Sequence, residues 1–182
     1  MLMKSISILF LLFTVAFSAQ TDSKIYDIIE AVSAERIKSD VKTLTEFGTR
    51  NTFSDTISNT QGIGAARRWI KSEFETISKA CDNCMEVFYQ KDFVTKKENI
   101  RVPHDAWIVN VVAVQKGTKY PNRYVIMSGD IDSRASDTMD FTTDAPGAND
   151  NASGMAGTIE AARVLSKYKF ESSIIYVGLS GE

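Results

Sequence analysis

The chain has 182 residues, 43% of them apolar and 24% charged, with 21 Lys and Arg against 23 Asp and Glu. That is the composition of a globular protein long enough to bury a sizeable core. A net charge of −2 without any block of basic residues argues against nucleic acid or an anionic membrane surface as a partner.

In chain order, Met1 to Ser7 carries one positive charge at Lys4, Ile8 to Phe17 is almost unbroken apolar, and Ser18-Ala19-Gln20 turns polar. This order predicts a signal peptide over residues 1–20. The apolar run is too short for a membrane span, which needs roughly 20 residues. A secreted or periplasmic location follows. Ile25, Ile28, Ile29, Val32, Ile37, Val41 and Leu44 then recur at helical spacing, predicting one amphipathic helix stopped at Gly48. Residues 49–59 read as a polar loop, and a second helix is expected from about Thr60 to Lys79. Cys81 and Cys84 are the only cysteines. In an exported chain they are expected to close a local disulfide across the following turn. A zinc knuckle would need two further soft ligands, and the only histidine is His104, in a proline-containing loop.

Met85 to Val94 alternates apolar and polar residues and predicts a strand. Trp107 to Val114 and Tyr124 to Ser128, rich in Val and Ile, predict two more. A long polar loop follows to Asp150, and loops of that length in a compact domain usually carry function. Ala152 to Tyr168 reads as a helix whose early small residues would let it lie close to a sheet, and Ser173 to Leu179 as a fourth strand. Strand, loop, helix, strand is a βαβ unit, so the last two strands are expected to be parallel neighbours in an α/β fold.

Three acidic clusters fall at one rim of that unit. Asp130 and Asp132 follow one strand, Asp150 opens the connecting helix, and Glu182 follows the last strand. Taken singly, Asp150 would serve as a helix N-cap, the Asp130/Asp132 pair as a solvated turn, and Glu182 as a surface residue. Taken together, they deliver carboxylates beyond the carboxyl ends of parallel strands, where ligands bind in open α/β sheets. Such a cluster is costly without a positive partner, and a pair of divalent metal ions would use it well.

The segments Gly129-Asp130-Ile131-Asp132-Ser133-Arg134, Ala145 to Gly154 and Leu179-Ser180-Gly181-Glu182 together resemble the secreted di-zinc aminopeptidases, family twenty-eight of the metallopeptidases. Phe47-Gly48-Thr49-Arg50, Gly62 to Arg67 and Asn110 to Ala113 fit the same resemblance. It implies a phosphorylase/hydrolase-like fold, a mixed sheet flanked by helices, with residues 21–182 forming the N-terminal part of the catalytic domain. It also implies roles. Asp150 corresponds to the carboxylate bridging two zinc ions, Asp132 to an acid that orients a metal ligand, and Glu182 to the general base. That glutamate would be the first of a Glu-Glu pair, so the fold is expected to be incomplete at its C-terminus and the 182 residues alone inactive. The substrates implied are peptides or proteins.

One position departs from the pattern. The family's usual His-x-Asp begins here with Asp130. A carboxylate still binds zinc, but it adds negative charge and hardens the site. Two rival expectations stand beside the aminopeptidase: a glutaminyl-cyclase-like acyl transferase with one zinc, and a binding domain in which Asp130 marks a decayed metal site.

Overall fold

The computed structural model describes residues 22–97, 100–137 and 139–181; the expected signal peptide and Glu182 lie outside them. Helix α1 spans Ser23–Glu30, α2 Ala34–Glu46 and α3 Gly62–Ala80. Strands β1 (Met85–Val94), β2 (Ala106–Gln115) and β3 (Tyr120–Asp130) follow, then α4 (Ser153–Leu165) and β4 (Ser172–Leu179). The sheet runs in the order β1-β2-β4-β3. β2 is antiparallel to both β1 and β4, and β3 is parallel to β4, so the βαβ unit is present. The fold is α/β with a mixed sheet.

The boundaries differ from the sequence expectation in several places: α4 ends at Leu165 rather than Tyr168, β3 runs on to Asp130, and two differences are larger. The first helix is two helices, broken before Ala34. Ser33 caps α2, its hydroxyl accepting from the Arg36 amide at 3.2 Å, while its own amide donates to Glu160 Oε1 at 2.8 Å. A buried carboxylate far along the chain thus takes the N–H that a continuous helix would use internally. Strand β3 begins earlier than its apolar run, at Tyr120. Its register with β4 jumps between Tyr120 and Tyr124, which lets Pro121 sit in the irregularity.

The core lies between one sheet face and the helices. Along β2, Val109, Val111, Ala113 and Gln115 are buried and alternate with half-buried neighbours, as period two requires. α3 packs over β1 and β2, α4 over β3 and β4, and the two helices touch. Leu44, Ile63, Ile70, Phe74, Met155, Ile159 and Tyr176 have no exposed surface. Close approach of α4 depends on Gly129, where an added Cβ would lie 2.4 Å from the Met155 amide nitrogen. The small residues of the first α4 turns meet that glycine from the other side. The Cys81–Cys84 disulfide is present and staples the turn from α3 into β1, as expected.

A charged network fastens the helices to one another. Arg163 on α4 binds Asp40 of α2 at 2.5 Å and Glu73 of α3 at 2.6 Å. Glu160, 2% exposed, takes both Arg36 Nε at 2.9 Å and Arg36 Nη2 at 2.5 Å. Burial pushes the Glu160 carboxyl up, but the Arg36 and Ser33 hydrogen bonds outweigh it and leave it below its ordinary value. At Asp40 burial prevails over Arg163, and the carboxyl sits above its ordinary value. Arg163→Met should therefore leave a buried carboxylate uncompensated and cost about 3 kcal/mol, the low end for a broken buried pair. Thermal unfolding checks this, and the double variant with Asp40→Asn should recover part of the loss.

Candidate metal centre

The site is built where β3 and β4 end side by side. Asp130 pairs with Leu179 at the last rung of the ladder, and the Ile131 amide still donates to the Leu179 carbonyl at 2.7 Å. Beyond that point the chain leaves the sheet with Asp132 and Ser133 buried, 4% and 3% exposed.

Asp132 is held rather than free to ligate on one side. Its Oδ2 accepts from Thr52 Oγ1 at 2.5 Å and from the Gly181 amide at 2.9 Å. The Thr52 hydroxyl also accepts from that amide at 3.0 Å. Asp132 thereby anchors the backbone that leads from β4 into Glu182.

Asp150 stands on an irregular turn, Ala148–Ala152, ahead of α4. It is not the helix cap. The cap position is Ala152, no side chain bonds to the helix start, and Asp150 itself is extended, with φ −117° and ψ 97°. Its carboxylate is exposed at the rim. The turn is shaped by Gly147, whose φ is +49° and whose missing Cβ would lie 2.4 Å from the Asp150 carbonyl oxygen and 2.6 Å from Ser133 Cβ. No larger residue fits that approach.

Arg50 joins these pieces. It has no exposed surface. Its guanidinium donates to the carbonyls of Ile131 at 2.8 Å, Leu44 at 2.9 Å, Pro146 at 2.5 Å and Gly147 at 3.2 Å. Its amide donates to Ser133 Oγ at 3.0 Å, and that hydroxyl donates to the Ala145 carbonyl at 2.5 Å. One side chain thus ties the end of α2, the segment after β3 and the turn before Asp150. Burial lowers its pKa to about 10 against the pull of Asp132, so it stays protonated at neutral pH.

The three aspartates reach one edge, and Asp130 feels the other two. The Asp130 carboxyl lies above its ordinary value, raised by burial first and then by the charges of Asp132 and Asp150. A cation placed among them would relieve that repulsion. Asp130 and Asp150 are oxygen donors of the type that bind hard or borderline divalent ions. The set is partial, because among the described residues no three His, Cys, Asp or Glu side chains come together as metal ligands. Glu182 falls outside the described residues. His104 is exposed in its loop, as expected, with its ring edge-on to Phe53 at 5.6 Å and Phe141 at 5.4 Å. Sequence reasoning assigned no role to Arg50, Thr52 or Ser133. Arg50 and Ser133 carried a signal, their places in the Phe47 to Arg50 and Gly129 to Arg134 motifs; Thr52 carried none.

Residues 110–182 match the family model for peptidase family M28. A protein of Leptosphaeria maculans named "Probable zinc metalloprotease" is 41% identical over 161 residues, which cover 88% of this chain and 37% of that protein. One of the same name from Pyricularia oryzae is 38% identical over 88% of this chain and 32% of its own length. This chain therefore spans about a third of the length of these curated relatives. Among solved structures, LapB from Legionella pneumophila superposes with a TM-score of 0.65 at 20% identity, over 88% of this chain and 38% of that one. A glutaminyl cyclase from Macrostomum lignano does so with a TM-score of 0.65 at 16% identity, over 88% and 42%. At those identities the likeness shows a shared fold.

Two expectations follow from the site. Arg50→Met should break four hydrogen bonds to main-chain carbonyls and leave those of Ile131 and Pro146 without that donor, at roughly 1–3 kcal/mol for each carbonyl left unsatisfied. It should lower the unfolding temperature sharply and expose the loop to trypsin at Arg134. Arg50→Lys should not rescue, since one ammonium cannot serve carbonyls on three segments. The raised Asp130 carboxyl means that the folded state holds its proton more tightly than the unfolded one. Ionisation on raising the pH through that range then costs stability. In chelator, Asp130→Asn should stabilise the protein at neutral pH by about 1 kcal/mol or less. The gain should fade as the pH falls into the range where the carboxyl is protonated, measured by thermal unfolding across pH.

Proposed function

From the relationship of residues 110–182 to peptidase family M28, we propose that the protein is an exported metal-dependent exopeptidase, an aminopeptidase acting on peptides. The observation that carries the reading is the convergence of Asp130, Asp132 and Asp150 at one sheet edge, where burial and then the other two charges raise the Asp130 carboxyl. That electrostatic cost makes sense for a site that holds cations.

In this reading Asp150 and Asp130 are the ligands this chain offers, to two divalent ions expected to be zinc. Bound there, the ions would polarise a scissile carbonyl and acidify a water. The remaining work belongs to side chains. Glu182 accepts the proton of the attacking water and passes it to the leaving amine. Asp132, pinned by Thr52 and the Gly181 amide, fixes the backbone that presents Glu182 and adds negative charge behind the ligands. Asp130 standing where the family usually has histidine favours harder ions than an imidazole would.

The test uses the full-length protein. Metal content by elemental analysis is expected at two ions per chain, lost with activity in Asp150→Ala and restored in the parent by adding zinc after chelation. Cleavage is expected on peptides with a free amino terminus and not on N-acetylated ones. Activity that survives chelation would overturn the reading. Ring closure of N-terminal glutamine with ammonia release, at one ion per chain, would favour an acyl transferase, a chemistry that occurs on this fold in the Macrostomum lignano enzyme.

A further inference from the structure

Beside the aspartate edge lies a second hollow of about 520 Å³, between the start of β2, the loop after Thr52 and α3. At its base is Arg67, 5% exposed. Neither Nε nor Nη2 of Arg67 has a hydrogen-bond partner among the described residues. Buried guanidinium groups are normally paired, because an unpaired charge away from water is costly. Burial lowers the Arg67 pKa to about 10, with the charges of Asp132 and Tyr89 acting the other way. The group therefore remains a cation at neutral pH.

The rest of the hollow has the same sign. Arg68 and Lys91 line it, and the one carboxylate among its lining residues is Asp105, which accepts the Lys96 amide at 2.8 Å. Arg68 is spent on loop carbonyls, including that of Thr56 at 3.0 Å. Lys91 lies over the Tyr89 ring, 5.7 Å from its centroid. Trp107, 54% exposed, forms an apolar wall. Thr52 lines the hollow and also donates to Asp132, so the hollow opens next to the aspartate site.

We propose that this hollow binds a carboxylate of the peptide ligand, seated on the unpaired face of Arg67 with Lys91 at the rim. The geometry suits it. A planar carboxylate accepts two parallel bonds from Nε and one Nη of a guanidinium, and Nε and Nη2 are the buried nitrogens of Arg67 left without a partner. The volume is that of a small ligand site and the walls combine apolar surface with few charges. The proposal rests on the peptidase reading for its ligand class, but it concerns binding and needs no metal.

The test is equilibrium binding to the full-length protein in chelator, read by calorimetry and by the tryptophan emission to which Trp107 contributes. Three short peptides are compared: one with glutamate and an amidated C-terminus, its glutamine counterpart, and the glutamine peptide with a free C-terminal carboxylate. At least tenfold tighter binding of one of the carboxylate-bearing peptides over the amidated glutamine peptide is expected, and which one binds tells whether side chain or terminus is read. The preference should vanish in Arg67→Met and fall several-fold in Lys91→Ala, a surface change that leaves the fold intact. Equal affinity for all three peptides would overturn the proposal. So would a preference that survives in Arg67→Met with a native near-ultraviolet spectrum, or, should that variant not fold, one unchanged by Lys91→Ala. Binding without hydrolysis after zinc addition would count against the peptidase reading alone.

Discussion

A fully buried arginine holds the candidate site together. Arg50 spends its donors on main-chain carbonyls of three segments and not on a carboxylate. This choice has two effects. The segments that carry Asp132 and Asp150 are fixed relative to the end of α2, although they leave regular structure at that point. The arginine also supplies a positive field beside Asp132 without forming a direct ion pair in any of the bonds described. A surface ion pair could not do this work, being weak and screened by salt.

The helices show the opposite use of charge. Arg163 and Arg36 make direct bonds to Asp40, Glu73 and Glu160, and there the carboxylates are neutralised in place. The molecule thus separates two kinds of acid. Those between helices are paired and serve cohesion. Those at the sheet edge are crowded, with Asp130 held above its ordinary value by burial first and then by its neighbours. Crowding of carboxylates at one edge marks a site better than acidity alone.

Much of the fold was legible. Period-two alternation placed β1 at its observed bounds, and the small residues after Ala152 announced the close packing that Gly129 accepts. The break between α1 and α2 was not legible, because the apolar periodicity runs straight across it. Its cause, the capture of the Ser33 amide by Glu160, spans a sequence separation of 127 residues. The early start of β3 was hidden by Pro121, which reads as a turn until the register irregularity is seen. At the site, Asp130, Asp132 and Asp150 stood out through their positions after strands and before a helix. Thr52 did not, since nothing local marks a threonine that will reach a carboxylate 80 residues away.

The two outer strands of the described sheet are not alike. β1 carries Glu86, Lys91 and Asp92, charges of the kind that discourage another strand from adding to an edge. β3 presents Tyr124, Val125 and Ile126 in succession, each more than half exposed. A row of unpaired backbone groups beside such side chains is a template for further pairing. The two borders are therefore unequal as templates: charges discourage pairing along β1, and the exposed apolar run of β3 offers an added strand the more favourable side.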